Sequence, residues 1–367
     1  MKNIVVILDM TNDCNFRCEY CYLSAGENKD QLSVDTAICA IDKIYEKYKC
    51  IINILFHGGE PLFCFGTIKK ILEELKKKDY ISFLRFSIQT NGYFINDEVV
   101  DFFIDNNFSV GISIDGYDDK GNGARKDKEG RYTTERVIDN MKMLIDRKCS
   151  ISILSVINKY NYNVMGNVID RFYEIGIDSF TINPFIPAGR GRQFHLGVSS
   201  ENMFETYKDI IDKIISYRKR GRNICEKNIY FLCKKIATGN SGYMCMCVPC
   251  GAGLAQYTIA PDGNVYPCAD FSGIEIFSMG NVKSDFFENM LFNEQWKKIR
   301  MNRLIKYEHC QKCSLVKMCT AGCSVRSYFN NGRVDSIDPI CELNKLLIPY
   351  MMKTEIWEEL GFGDLIK

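Results

Sequence analysis

Cys14-Asn15-Phe16-Arg17-Cys18-Glu19-Tyr20-Cys21 sets three thiols at C-x3-C-x2-C spacing, directly after an apolar, strand-like run from Ile4 to Leu8. Three thiolates from one short loop are one too few to close a cubane 4Fe-4S cluster, so the fourth iron is open to bind something that reacts. A structural zinc site built from C-x2-C pairs would strand several of the chain's 18 cysteines. A disulfide framework belongs to small secreted chains.

The 367 residues have room for one large domain and a smaller one around a substantial core. With 47 basic and 46 acidic residues, the formal charge is +1, and no excess points to nucleic acid or an anionic membrane. The first apolar run is broken by Asp9 and lacks a cleavage-like region, and no stretch of some eighteen apolar residues occurs. The expectation is a soluble cytoplasmic protein in a reducing compartment, its thiols serving metal.

In the first half, β-rich runs alternate with amphipathic segments. Strands are predicted at Ile4 to Met10, Ile52 to Phe56, Leu84 to Gln89, Val110 to Ile114, Ser150 to Ile157 and Ser179 to Asn183. Helices are predicted between them at Thr36 to Tyr48, Thr67 to Lys78, Asp97 to Asn106, Thr134 to Arg147 and Val164 to Ile175. This alternation, without hairpin signals, implies an α/β fold with a parallel sheet. A helical bridge over 199–240 separates the first part, 1–198, from a cysteine-rich part, 241–345, and a helical tail, 346–367. In the cysteine-rich part, Tyr257 to Tyr266 reads as a hairpin turning at Pro261-Asp262-Gly263, which would bring Cys250 and Cys268 together.

His57-Gly58-Gly59-Glu60-Pro61 follows the second strand, Gln89-Thr90-Asn91-Gly92 closes the third and Ser113-Ile114-Asp115-Gly116 the fourth. The glycines permit close approach of the backbone to a ligand, and the carboxylate accepts charge-assisted hydrogen bonds from an ammonium. Taken alone, the Gly-Gly-Glu-Pro stretch also fits a plain turn. Arg125, in a charged loop, also fits a solvated surface residue. His57 is one of three histidines and fits either a ligand contact or a strand-end cap. Cys39, Cys50, Cys64 and Cys149 fit buried hydrophobes, and Cys225 and Cys233 have no assigned part.

The C-x3-C-x2-C loop, with Tyr20 before its last cysteine, resembles the radical S-adenosylmethionine (SAM) enzymes. Cys250, Gly263-x4-Cys268, Cys310-x2-Cys313-x5-Cys319-x3-Cys323 and Cys341 resemble the seven-cysteine pattern of the SPASM extension. The resemblance implies a partial (β/α)6 TIM-type barrel, with working residues at the C-terminal strand ends, and a C-terminal SPASM domain. It implies SAM as cofactor and three 4Fe-4S clusters, one SAM-binding at Cys14, Cys18 and Cys21 and two auxiliary. By analogy, Glu60 holds the SAM amino group, Ser113 and Arg125 its carboxylate, and Tyr20, His57, Gly58, Gly59, Asn91 and Asn158 line the same site. The first auxiliary cluster would take Cys250, Cys268 and Cys323, with Cys245 favoured over Cys247 or a substrate thiol as fourth ligand. The second would take Cys310, Cys313, Cys319 and Cys341, with His309 beside it.

The expected activity is that of a peptide maturase oxidising a ribosomally made peptide by two electrons, with a thioether or carbon-carbon cross-link as product. A flavodoxin- or ferredoxin-type protein would be the reductant. Leader recognition would fall to the barrel rim, the 185–240 region or a separate protein. The alternative is an anaerobic sulfatase-maturing enzyme making formylglycine. There the residue after the cysteine matching Cys268 is an aspartate; here it is Ala269, and Asp270 in an extended strand would face away. An iron-sulfur electron carrier would explain the clusters but not Glu60, Ser113 and Arg125.

Overall fold

Strands form in the first half where β-branched and aromatic residues alternate in burial, and helices where apolar residues recur at a period of 3.6. The computed structural model describes residues 3–247, 250–284, 297, 299 and 308–360. Its first six strands are β1 (Asn3–Asp9), β2 (Ile51–His57), β3 (Leu84–Thr90), β4 (Ser109–Ser113), β5 (Ser150–Ile157) and β6 (Ser179–Pro184). Between them run α1 (Val34–Tyr48), α2 (Phe65–Lys76), α3 (Asp97–Asp105), α4 (Thr134–Asp146) and α5 (Met165–Glu174). Ser33 caps α1 by accepting from the Thr36 amide at 3.2 Å, and Asn96 caps α3 from Val99 at 3.0 Å.

Each of these strands pairs in parallel with the next. Along β2, Ile52, Ile54 and Phe56 are fully buried while Asn53, Leu55 and His57 are half-buried on the opposite face. On that second face the Gln89 amide of β3 donates to Ser113 Oγ of β4 at 2.8 Å. A polar inner face thus lies behind an apolar face packed on helices, as an open barrel requires.

The sheet does not stop at six strands. Its order is β7-β6-β5-β4-β3-β2-β1-β8-β9. The stretch expected as a helical bridge holds α6 (Ser200–Lys219), the short strand β7 (Cys225–Glu226) and α7 (Lys227–Thr238), with β7 added beside β6. The expected hairpin is β8 (Gln256–Ile259) with β9 (Val265–Tyr266), turning at Gly263 with φ +88°. Its first strand lies parallel to β1, so the cysteine-rich part continues the barrel's own sheet. Tyr257 of β8 is fully buried, and its hydroxyl sits 2.5 Å from that of Tyr48 in α1.

The helix Cys341–Met351 packs on α6, with Leu343, Leu347 and Met351 in the main core. A separate small core gathers Tyr266, Phe271, Phe277 and Val325. Among the described residues no helix is long and apolar enough to cross a membrane. The last seven residues of the expected tail, 361–367, lie outside the described residues.

Candidate functional site

The cysteine loop after β1 is clasped by three other strand ends. Gly59 and Glu60 after β2 donate their amides to the carbonyls of Thr11 (2.7 Å) and Asp13 (2.9 Å). After β4, the carbonyls of Lys126 and Ala124 accept from Arg17 (2.7 Å) and Glu19 (2.9 Å). After β6, the Arg190 amide donates to Cys21 O (3.0 Å), and its guanidinium donates to the carbonyls of Cys18 (3.1 Å) and Ala25 (2.8 Å). Within the loop, Arg17 donates to the carbonyls of Cys14, Phe16 and Gly26.

The loop aims its amides at sulfur. Phe16 N–H donates to Cys14 Sγ and Ala25 N–H to Cys21 Sγ, both at 3.3 Å. Burial first, and then the neighbouring Cys18, pushes the Cys14 thiol well above its usual range; burial pushes Cys18 up to about 11 against the pull of Arg125. Thiols held so high become iron ligands only as the metal displaces their protons into solvent. No three His, Cys, Asp or Glu side chains among the described residues converge on a single metal ion. A cubane places each ligand on its own iron, so its thiols stand apart, and this loop fits such a group.

Glu60 and Arg125 supply opposite buried charges beside the loop. Glu60 is fully buried; Oε1 accepts from Leu62 N (3.0 Å) and Thr90 Oγ1 (2.6 Å), and Oε2 from Asn91 N (2.8 Å). Burial still raises its pKa, because no described cation lies within ion-pair distance. A carboxylate has about four acceptor positions, so one is left for an ammonium. Arg125 is 6% exposed and donates from Nη1 to Tyr20 Oη at 2.6 Å. It is therefore no surface residue. A buried anion and a buried cation, neither ion-paired within the described protein, match the ammonium and carboxylate of a zwitterionic amino acid, which SAM carries.

A Cβ on Gly58 would stand 2.6 Å from Thr11 O, and one on Gly59 would overlap the Asp13 carbonyl, so the two glycines let the end of β2 close on the cysteine loop. Asn91 bridges to Asn15 Oδ1 (2.8 Å), and Ser113 accepts from Gln89. Asn158 spends its amide on its own turn, donating to Val156 O and accepting from Tyr160 N, both at 2.9 Å. His57 Nδ1 lies 3.0 Å from Asp9 Oδ1. His195 is exposed.

The C-terminal cysteines separate into two groups. Cys245 is exposed and lies within electrostatic reach of Cys250 and Cys323, and Cys268 is raised by burial and then by Asp270, Cys323, Cys250 and Cys245. Cys247 instead donates to Tyr243 O at 3.3 Å. Cys310, Cys313, Cys319 and Cys341 line one cavity with His309 and Asp338, and His309 Nε2 lies 3.9 Å from Cys341 Sγ. Of the remaining thiols, Cys50, Cys64 and Cys233 are buried and Cys39, Cys149 and Cys225 half-buried.

Asp270 does not face away. The chain leaves the extended form at Cys268 and enters a 3-10 turn, Ala269–Phe271, so strand alternation does not apply. Burial raises Asp270, which lies within electrostatic reach of His57, Arg326 and Asp9. Ser272, ending that turn, donates to Asp9 Oδ2 at 2.6 Å and ties the cysteine-rich part to the end of β1. Asp9 was missed as a site residue, although it carried a signal, an acid ending an apolar strand.

Residues 8–172 match the radical SAM superfamily, and residues 250–314 match the SPASM iron-sulfur cluster-binding domain. The chain belongs to the radical SAM enzymes that carry a SPASM domain, and it uses SAM and 4Fe-4S chemistry. It is 26% identical over 368 residues to a cysteine-type anaerobic sulfatase-maturating enzyme of Clostridium novyi, covering 93% of each chain. It is 26% identical over 377 residues to the radical SAM cyclopropyl synthase TigE of Paramaledivibacter caminithermalis, covering 95% of this chain and 74% of that one. The solved structure of native anSMEcpe with bound AdoMet and Cp18Cys peptide shares the fold, with a TM-score of 0.86 at 20% identity over 100% of each chain.

Proposed function

We propose that this enzyme removes two electrons from a side chain of a polypeptide. The reading is carried by the two cysteine quartets, Cys245, Cys250, Cys268 and Cys323 in one and Cys310, Cys313, Cys319 and Cys341 in the other. Four thiols apiece suit two auxiliary 4Fe-4S clusters, three clusters in all, and give the second electron somewhere to go. Bound at Cys14, Cys18 and Cys21, the SAM-binding cluster and SAM supply a 5'-deoxyadenosyl radical that takes a hydrogen atom from an unactivated C–H bond. Glu60 would hold the ammonium of SAM and Arg125, with Ser113, its carboxylate. Supporting a polypeptide substrate are the sulfatase-maturating relatives and a structure of the same fold solved with a bound peptide. A flavodoxin- or ferredoxin-type protein would supply the first electron, and the barrel rim, the 185–240 region or a separate protein would recognise a leader.

We retain a thioether or carbon-carbon cross-link as the first product, on Phe56-His-Gly-Gly-Glu-Pro-Leu62 and Val265-Tyr-Pro-Cys268, which look most like peptide maturases. Formylglycine is the second reading, and the 3-10 turn that brings Asp270 within electrostatic reach of His57 favours it. Anaerobic incubation with SAM, dithionite and peptides from short cysteine-rich reading frames beside the gene tests both. A peptide lighter by two hydrogens, stable to reduction and thiol alkylation, is expected. A hydrazine-trapped aldehyde would replace the first product with the second. Production of 5'-deoxyadenosine with no polypeptide altered would defeat the proposal.

A further inference from the structure

The ends of β1 and β2 carry an acid-imidazole pair. Parallel register sets Asp9 opposite His57, and Nδ1 of the ring lies 3.0 Å from Asp9 Oδ1. The other oxygen of Asp9 accepts from Ser272 Oγ at 2.6 Å. The Asp9 side chain is 2% exposed and that of His57 17%, so the acid is sealed while the ring keeps an open edge on the half-buried inner face of β2. A carboxylate at Nδ1 favours the tautomer with the proton on that nitrogen and leaves Nε2 as an acceptor. The groups facing the ring are Asp9 from β1, Asp270 from the 3-10 turn and Tyr22 from the cysteine loop, whose ring stacks alongside with centroids 6.5 Å apart. The constellation spans both parts of the chain, since Ser272 and Asp270 come from the cysteine-rich region and Asp9 and His57 from the barrel.

We infer that His57, oriented by Asp9, accepts the proton that a thiol or hydroxyl of the polypeptide sheds as its carbon radical is oxidised. The inference rests on the two-electron oxidation proposed for the enzyme. One S–H or O–H bond breaks and its proton passes to His57 Nε2. One electron leaves for an oxidised iron-sulfur centre. The bond formed is a C=S or C=O double bond in an aldehyde-type product, or a C–S bond in a thioether. His57 is then a catalytic residue and Asp9 a positioning residue.

The test compares wild type with His57→Gln, His57→Ala and Asp9→Asn, all reconstituted to equal iron content and checked for equal circular dichroism. The probes are a sulfatase-type cysteine peptide and a peptide from a neighbouring cysteine-rich frame. The readout is modified peptide per 5'-deoxyadenosine. For both His57 variants this ratio is expected to fall by roughly 100-fold, the lower range for loss of a general base, with a smaller fall for Asp9→Asn. In the wild type the ratio should depend on pH, and His57→Gln should abolish that dependence. Peptide modification and SAM cleavage falling together would make His57 a SAM contact and overturn the inference. An unchanged ratio and pH profile would overturn it as well. If the wild type cleaves SAM and alters neither peptide, the functional reading fails first and the inference falls with it.

Discussion

The enzyme holds cysteines in two contrasting ways. Cys14, Cys18 and Cys21 sit on a loop clasped by backbone hydrogen bonds from the ends of β2, β4 and β6, above the large apolar core of the barrel. The C-terminal cysteines are spread over short helices and turns and the start of the helix Cys341–Met351, with Cys268 and Cys323 beside the small core. Between Cys319 and Cys323 the chain passes through three left-handed residues, Thr320 (φ 59°), Ala321 (φ 59°) and Gly322 (φ 75°). Non-glycine residues in that region cost about 1 kcal/mol or more each. Asp338 offsets this by accepting from Cys323 N (2.5 Å) and Ile340 N (3.1 Å) and by a two-pronged bond with Arg326 at 2.9 and 2.7 Å. We expect the barrel loop to hold its thiols in place without metal, and the C-terminal region to complete its local folding only as metal binds.

The largest effect expected from this contrast follows Cys14, Cys18 and Cys21 changed together to Ala. Iron should fall by about four from about twelve per chain, one cubane of three, with SAM cleavage abolished and the far-ultraviolet dichroism of the barrel intact. A triple variant that still cleaves SAM would remove the basis of the functional reading.

Chelation of iron from the wild type should next expose the C-terminal region to limited proteolysis while the barrel stays resistant. Equal protection of both regions in the metal-free protein would erase the contrast. Asp338→Ala sharpens it, because the half-buried Arg326 loses its partner and the Cys323 and Ile340 amides lose their acceptor. A cost of roughly 1 to 3 kcal/mol per unsatisfied group is expected, seen as loss of auxiliary iron with SAM cleavage still measurable.

Glu60→Gln keeps shape and removes charge, so SAM affinity should drop by about 1.5 to 3 kcal/mol in equilibrium binding. Arg125→Ala should weaken SAM similarly. Retained affinity in either variant would take that residue out of the SAM site. The smallest effect is expected from Arg190→Ala, which removes two hydrogen bonds to the cysteine loop, about 1 kcal/mol apiece. The cluster should then be lost faster in air, with its initial iron content unchanged.

The six strands, the helices between them and the hairpin at Gly263 were legible because their causes are local. Burial period, caps and turn residues act over a few positions. The C-x3-C-x2-C loop and the Glu60 motif were legible for the same reason, each being contiguous. Among the C-terminal thiols the spacing suggested Cys245 over Cys247 without deciding it. The separation of the two, with Cys247 donating to Tyr243 O, depends on how α7 and the following turn meet the hairpin.

What the sequence by itself determined is therefore the inventory: which thiols lie in which loops, which strands run parallel, and the chemistry that a three-thiol loop invites. The tertiary structure alone decided the partnerships. It laid β8 against β1, drew Arg125 out of a charged loop into a buried contact with Tyr20, and joined Asp9 to His57 and Ser272. It also put Asp270 in a 3-10 turn within electrostatic reach of His57 and Asp9, where strand alternation would have sent it away. These are contacts between residues far apart in the chain. No periodicity or spacing records them, because they are set by sheet register and by the packing of one strand end on another.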